Sequence, residues 1–548
     1  MTGGARLRTP ITGNHLFYGD NLAILRKHVP DESVDLIYLD PPFNSNASYN
    51  VLFRSPAGEQ SKAQIEAFED TWHWNQTAEE AFDQVMSSGV ADAAEMLRAM
   101  RGFLKENDLM AYLTMMAVRL IELHRILKPT GSFYLHCDPT ASHYLKMLLD
   151  GVFGAECYRN EITWKRTAAH ADARTWSRVA DTLFFYTKGR NFTWHVPREV
   201  HTDKYVGSHY GSVDDRGRKF QLTSILSPSP RPNMMYEWKG FASPPMGWRF
   251  SESTMASLDE QGLIYYPSRT DGSLDTSKRP RFKRYLDEQL GNVTTTIWTD
   301  IPPVNARAQE RLGYPTQKPL ALLERILRAS TNEGDVVLDP FCGCGTTIHA
   351  AQKLGRRWVG IDITHIAVSL IEKRLRAFDD IRYTVHGVPQ DAGGAAALAD
   401  ADKHQFQLWA VSRIDGAQPF KGGKKGADGG IDGFVYFKPD GKATERAIVS
   451  VKGGGNVGVG MVKDLIATVD REKAKVGVFV TLTKPTRPML TEAVTAGFYE
   501  PPHHAKVSKI QILTVDDLFA GRQPQLPFVD TSVFKRAAKE QAEQPELF

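Results

Sequence analysis

The chain has 548 residues, of which 42% are hydrophobic and 24% charged, and 67 Lys and Arg against 64 Asp and Glu give a net charge of +3. That length sets an expectation of roughly two to four domains, and the composition is that of folded globular protein rather than a disordered or fibrous chain. Near-neutrality argues neither for nor against nucleic acid, so any basic surface must be local. Four cysteines (Cys137, Cys157, Cys342 and Cys344) make no disulfide framework and no zinc spacing. The first residues lack a secretory apolar region and no run has membrane length, so a cytoplasmic protein without membrane contact is expected.

Residues 14–40 read as strand, helix, strand. Leu16-Phe17-Tyr18 forms the first strand, Asp20 or Asn21 caps the helix, and Pro30-Asp31-Glu32 closes it. Val34–Leu39 is an apolar run with β-branched members, hence a buried strand. Asp40-Pro41-Pro42-Phe43 stops it, because neither proline has an N–H for a ladder. Asp40 therefore stands at the carboxyl end of a strand, where open α/β sheets bind ligands. A carboxylate, a carbonyl held by proline geometry and a ring can grip a planar group bearing an amine, such as a nucleobase. A plain strand-ending turn with a core Phe is the other reading of these four residues.

Residues 44–75 are polar and irregular, with a Trp72-His73-Trp74 group, and read as a long loop. Apolar spacing predicts a helix over 107–127, ended by Pro129-Thr130-Gly131. Strands are expected at 132–136, 162–165 and 182–186, with a helix at 140–150. Alternation of strands and helices predicts a parallel-type sheet. Residues 166–300 differ in being rich in Arg, Lys, aromatics, Pro and Gly, as in Lys278-Arg279-Pro280-Arg281-Phe282-Lys283-Arg284-Tyr285. Such a stretch can contact phosphates while its rings stack or pack, or it can be a solvated basic face.

A helix is expected at 318–330 and a strand at 336–338. That strand ends at Asp339-Pro340-Phe341-Cys342-Gly343-Cys344-Gly345, followed by a helix at 347–354 and a strand ending at Asp362. Glycines let backbone approach a ligand, and an acid ending the second strand can accept hydrogen bonds from a ribose diol. Asp339 at the head of the loop suits a cofactor with an amine or cationic end, such as S-adenosylmethionine, better than a pyrophosphate.

Asp40-Pro41-Pro42-Phe43, the later Asp339-to-Gly345 loop, Lys128–Asp138 and Tyr314-Pro315-Thr316-Gln317-Lys318-Pro319 occur in one order. In that order residues 14–375 resemble the β-group DNA amino-methyltransferases, including type III modification subunits. The resemblance implies a Rossmann-like S-adenosylmethionine-dependent methyltransferase fold, with a mixed seven-stranded sheet and a target-recognition insert at about 166–300. It implies catalytic roles for Asp40, Pro41, Pro42 and Phe43. It implies a cofactor site from Asp20, Thr316, Gln317, Lys318, Pro319, Asp339, Phe341, Gly343, Gly345 and Asp362. Double-stranded DNA is the implied partner and adenine N6 the favoured acceptor, with cytosine N4 the alternative. Related enzymes often dimerise, so a homodimer is among the expected states.

Residues 388–403, with Gly393-Gly394 and an alanine run, read as a linker between a domain at 1–387 and a second at 404–523; 524–548 reads as a polar tail. In the second domain a carboxylate, Asp432, precedes two strands, and Ser450-Val451-Lys452 ends the second of them. The spacing, with Asp428, resembles the Mrr-type restriction endonucleases of the PD-(D/E)-x-K superfamily, an α/β fold. That implies Mg²⁺ held at Asp432, with Asp428, Ser450 and Lys452 as further site residues. Two positions depart from the pattern. Ser450 stands where an acid or amide is usual, and Gln407 where a helical Glu is common. The readings left open for this module are a slow nuclease, a nuclease using Asp428 as an extra ligand, and a dead DNA-binding relic. For the whole chain, a non-catalytic DNA-binding regulator is the competing class. His136 and Trp72-His73-Trp74 lack partner ligands at metal spacing and read as structural.

Overall fold

The computed structural model describes residues 11–42, 49–51, 65–68, 74–168, 175–199, 201, 203–289, 291–305, 308, 310–312, 314, 316–420, 429–440, 444–501 and 504–527. Phe43, Trp72, His73 and Asp428, and the tail beyond 527, lie outside them. The chain forms two compact units, Met1–His195 with Thr296–Phe548, and Val196–Thr295.

The larger unit is built on a nine-stranded sheet. Its strands are β1 (Asn14–Tyr18), β2 (Val34–Leu39), β3 (Leu127–Cys137), β4 (Tyr158–Lys165), β5 (Ala180–Thr187), β6 (Ile297–Trp298), β7 (Val336–Asp339), β8 (Arg357–Asp362) and β9 (Tyr383–His386). Their order is β6-β4-β5-β3-β2-β7-β8-β1-β9. Pairing is parallel except where β5 runs against β3 and β4. Seven of these strands match the sequence expectation. β6 and β9 extend the sheet by one strand at each edge, and both are too short or too polar to carry a period-two signal.

Alternate residues feed cores on opposite faces, as parallel strands require. Ile37, Leu39, Phe133 and Leu338 join one cluster. Leu36, Tyr38, Tyr134 and Val337 join the other. Helix α1 (Asn21–His28) is capped by Asp20, whose side chain accepts from Ala23 N. Helix α2 (Asp108–Ile126) is capped by Asn107 and buried along most of its length, against the first cluster. Helices α3 (Leu320–Ser330), α4 (Thr346–Lys353) and α5 (His365–Leu375) complete the layers. Part of the expected loop at 44–75 is an antiparallel strand pair, Tyr49–Val51 with Ile65–Phe68.

Unit Val196–Thr295 has its own four-stranded antiparallel sheet, ordered Ile264–Tyr265, Arg281–Tyr285, Lys219–Ser224, Ser212–Val213. It is narrower than the expected insert of 166–300, because β5 and β6 on its flanks belong to the large sheet. Trp238, Phe241 and Trp248 form its core, so these rings pack inward while Arg281 and Arg284 face solvent.

The expected linker at 388–403 is largely helical. Asp391 accepts from Gly394 N and caps a helix at Ala392–Ala401, whose Ala395 and Ala399 are buried in the next core. Alanine's helix propensity and that cap outweigh the two glycines in the first turn. Helix α6 (Lys403–Ser412) follows at once, capped by Asp402. A five-stranded sheet comes next, in chain order β10 (Ala417–Pro419), β11 (Gly433–Phe437), β12 (Glu445–Lys452), β13 (Val476–Thr481) and β14 (Ile510–Thr514). Among the described residues no helix is long and apolar enough to cross a membrane.

Candidate active site

The ends of four parallel strands converge. Ile37 lies opposite Leu338 in the β2–β7 pair, so Asp40 and Asp339 finish neighbouring strands at one edge. Gly360 lies opposite Asp339, and Asp362 opposite Tyr18, which brings β8 and β1 into the same row. The chain leaves β7 toward β8 and leaves β2 toward β3, in opposite directions across the sheet. Ligands of open α/β sheets bind in the crevice at such a reversal.

The loop after β7 is held close to its neighbours. Gly343 and Gly345 have φ of 49° and 75°, a left-handed conformation that favours glycine. A Cβ at Gly345 would lie 2.6 Å from Ile371 Cγ1, and one at Gly343 would lie 3.1 Å from the Tyr314 ring. Asp362 accepts from Gly343 N at 2.9 Å, Thr364 N at 2.9 Å and Thr364 Oγ1 at 2.8 Å. Burial still pushes its carboxyl up to about 6. Asp339 accepts from Phe341 N at 3.1 Å. Burial pushes it up to about 7, with a hydrogen bond to Thr347 opposing and the charges of Asp40 and Asp362 adding to the rise. Two buried acids held near neutrality form a site that favours a cationic or amine-bearing ligand.

Asp40 meets one such group already. Lys318 Nζ donates to its Oδ2 at 2.5 Å, with the two side chains 11% and 17% exposed. Lys318 is presented by a braced turn before α3. Gln317 accepts from Leu312 N at 2.8 Å and donates to the Glu310 carbonyl at 2.5 Å, and Thr346 Oγ1 donates to the Lys318 carbonyl at 3.3 Å. Gln317 thus fastens the turn, with half-buried Thr316 beside it and buried Pro319 at the N-cap of α3. Lys318→Met is expected to lower stability by about 1–3 kcal/mol, because a largely buried carboxylate loses its partner. A drop in the denaturant midpoint at pH 7, partly restored in Lys318→Arg, is the readout.

Beneath Asp40 runs a buried polar chain. Tyr38 Oη lies 2.8 Å from His136 Nδ1, His136 Nε2 lies 3.1 Å from Asp181 Oδ2, and Arg166 pairs with Asp181 at 3.1 Å. Burial and the Lys318 charge pull the His136 pKa down. Through Tyr38, His136 ties β2, the strand that runs into Asp40, to Asp181 on β5.

Asp20 pairs with Arg119 at 2.8 Å. Arg119 Nε donates to Asn21 Oδ1 at 2.7 Å, and Asn21 Nδ2 donates to the Pro340 carbonyl at 2.9 Å. These two side chains tie the turn after β1 to the loop carrying half-buried Phe341. Sequence reasoning missed Arg119 and took Asn21 only as a possible cap, a place that Asp20 fills. The available signal was an arginine in the middle of the otherwise apolar stretch of α2.

In the C-terminal sheet, Asp432 precedes β11 and is 9% exposed, and Ser450 on β12 is 3% exposed. Asp432 Oδ2 accepts from Val451 N at 2.7 Å, so this carboxylate fastens β11 to β12. Lys452 is half-buried at the end of β12. Among the described residues, one carboxylate engaged by backbone and one hydroxyl are a weak donor set for a hard divalent cation. Among the described residues no group of three His, Cys, Asp or Glu could hold a metal ion.

Residues 34–373 match a family model described as DNA methylase (N6_N4_Mtase). Residues 403–520 match one described as NACHT-associated inactive Restriction Endonuclease 1, where the sequence had suggested an Mrr-type domain. The chain is 29% identical over 368 residues to the type II methyltransferase M.EcaI of Enterobacter cloacae, covering 66% of this chain and 70% of that one. It is 24% identical over 359 residues to the StyLTI Mod subunit of Salmonella typhimurium, covering 62% of this chain and half of that protein's length. It is 25% identical over 365 residues to the DNA adenine methyltransferase YhdJ of Escherichia coli, covering 66% and 82%. A solved structure of a DNA modification methylase from Thermus thermophilus, complexed with S-adenosylmethionine, aligns at TM-score 0.33 and 16% identity, over 69% of this chain and 99% of that one.

Proposed function

Because the chain belongs to the DNA methylase family matched over residues 34–373, we propose that it transfers a methyl group from S-adenosylmethionine to the exocyclic amine of a base in DNA, with adenine N6 as acceptor. The observation that carries this reading is Asp40 at the end of β2, beside Asp339 at the end of β7. The buried carboxylates fit the cofactor. Asp339 faces an amine or sulfonium favourably, and Asp362, at the end of the next strand, suits a ribose diol. Gly343, Gly345, Phe341, Asp20 and the Thr316-Gln317-Lys318-Pro319 turn would complete its surroundings. S-adenosylmethionine supplies an electrophilic methyl group on a sulfonium.

The chain's own residues supply the grip on the acceptor. An amine inside a duplex is stacked and paired, so the base must leave the helix. Asp40 and the Pro41 carbonyl accept hydrogen bonds from the amine and concentrate lone-pair character on its nitrogen. By its place in the Asp40-Pro41-Pro42-Phe43 motif, Phe43 would stack on the base. Pro41 and Pro42 fix the turn, and transfer depends on positioning more than on acid–base power. Asp40 favours adenine, since forms of this motif beginning with Ser go with cytosine N4. The test incubates the purified chain with labelled S-adenosylmethionine and DNA of varied sequence, then digests the product to nucleosides. N6-methyladenine supports the reading, N4-methylcytosine reassigns the base, and no label in any DNA overturns it.

The 403–520 segment is read as a module that does not cleave DNA. Support comes from Ser450 in the acid position, from the Asp432 carboxylate bonded to Val451 N, and from the family description of an inactive endonuclease. Asp432→Ala is expected to cost about 1–3 kcal/mol of stability, seen as a lower melting temperature, since Val451 N loses its buried acceptor. Mg²⁺-dependent cleavage of any DNA by the wild type, abolished in Asp432→Ala and Lys452→Ala alike, would restore the nuclease.

A further inference from the structure

The family match to the methylase ends at residue 373, and α6 lies beyond it. Yet α6 reaches the edge of the cofactor row. Tyr18 Oη donates to Gln405 Oε1 at 2.9 Å. The Tyr18 ring stacks on His365, with centroids 3.9 Å apart and planes 10° from parallel. Tyr18 lies opposite Asp362 in the sheet, and the next residue, Gly19, donates its N–H to the Asp362 carbonyl at 2.9 Å. His365 follows Asp362 by three residues, opens α5, and is 4% exposed, with no hydrogen-bond partner for either ring nitrogen among the described residues.

The helices behind these residues are fastened together. Ser369 Oγ donates to the Ser412 carbonyl at 3.0 Å, Arg413 pairs with Glu372 at 3.3 Å, and Lys373 pairs with Asp415 at 3.1 Å. The Asp402 cap accepts from Gln405 N at 3.1 Å, which sets Gln405 in the first turn of α6. The segments that carry Asp20 and Asp362 are therefore braced by a helix supplied from the C-terminal module.

We propose that Gln405, acting through Tyr18 and the stacked His365, is a positioning residue for the adenosine end of the cofactor site, so that the C-terminal module sets cofactor affinity. The inference rests on the cofactor reading above. A module that cleaves nothing then still serves the methyl transfer, because its docking and cofactor occupancy are linked, each favouring the other.

The test uses the full chain and titrates S-adenosylhomocysteine by calorimetry into wild type, Gln405→Ala, Tyr18→Phe and the double variant. Loss of one neutral hydrogen bond predicts about a five-fold weaker affinity in each single variant. The double variant should be no weaker than either single one, since both remove the same bond. In turnover, Gln405→Ala should raise the KM for S-adenosylmethionine with kcat at saturating cofactor within about two-fold of wild type. Affinities within two-fold of wild type in both single variants, or two losses that add in the double variant, overturn the proposal while leaving the cofactor reading intact. A wild type that binds neither S-adenosylhomocysteine nor S-adenosylmethionine overturns both.

Discussion

Asp40→Ala is expected to lower methyl transfer by about 10³-fold, the effect of deleting one preorganised polar group at a reacting centre, while the cofactor binds as in wild type. The separation follows from geometry. Asp40 ends β2 on one side of the reversal point, and Asp339 and Asp362 end β7 and β8 on the other. On the proposed function, removing the Asp40 carboxylate takes away the acceptor for the target amine and releases Lys318, but leaves in place the carboxylates assigned to the cofactor. Calorimetry with S-adenosylmethionine and single-turnover transfer to DNA read the two effects apart. Transfer within ten-fold of wild type would remove Asp40 from the chemistry.

Asp339→Asn is expected to stabilise the free protein at pH 8 while weakening cofactor binding about 100-fold, the worth of a charge-assisted hydrogen bond. Asp339 is 3% exposed and its carboxyl is pushed up to about 7. An unfolded Asp titrates near 3.9. The folded pKa is the higher, so this group's favourable contribution is complete below about pH 4 and is lost as pH rises through about 7. At pH 8 the ionised, buried form costs up to about 4 kcal/mol relative to the protonated one. Asparagine keeps the shape without the charge. Thermal melts should show a gain at pH 8 about twice that at pH 5.5, since about 2 of the about 4 kcal/mol is already lost at the lower pH. Binding of a cationic cofactor favours the carboxylate, so calorimetry near pH 7 in buffers of different ionisation enthalpy should show proton release in wild type and none through this group in the variant. A variant that melts lower at both pH values and binds S-adenosylmethionine normally would contradict the assignment.

Local signals in the sequence were enough for the row of strand ends. An apolar run stopped by Pro41 and Pro42, and another stopped by Asp339-Pro340 before glycines, each marked a strand's carboxyl end through backbone chemistry alone. Partnerships between distant residues had no such mark. Lys318 and Asp40 are 278 residues apart, and Arg119 and Asn21 are 98 apart. Nothing in either neighbourhood encodes the other, because the sheet order decides which loops meet. The segment at 388–403 failed for a different reason. Composition suggested a linker, whereas the positions that matter are the Asp391 cap and the two alanines, four residues apart, that pack inward. In the insert, basic residues and rings were legible as a class, but which rings form the core depended on pairing Lys219–Ser224 with Arg281–Tyr285.

The place of β1 has a consequence for how the chain is made. Both of its sheet neighbours, β8 and β9, come from residues 357–386, so Leu16 and Phe17 are synthesised more than 300 residues before any strand can pair with them. At about 5–20 residues per second that interval lasts roughly 20–70 s on the ribosome. The first strand of the domain is thus the last to be enclosed. Until then it is an apolar segment with open ladder edges, and a chain halted before residue 357 would present it to chaperones or to other nascent chains. The loop from Asp339 to Gly345 is completed in the same late window, so closure of the sheet around β1 and assembly of the site coincide at the end of translation of this unit.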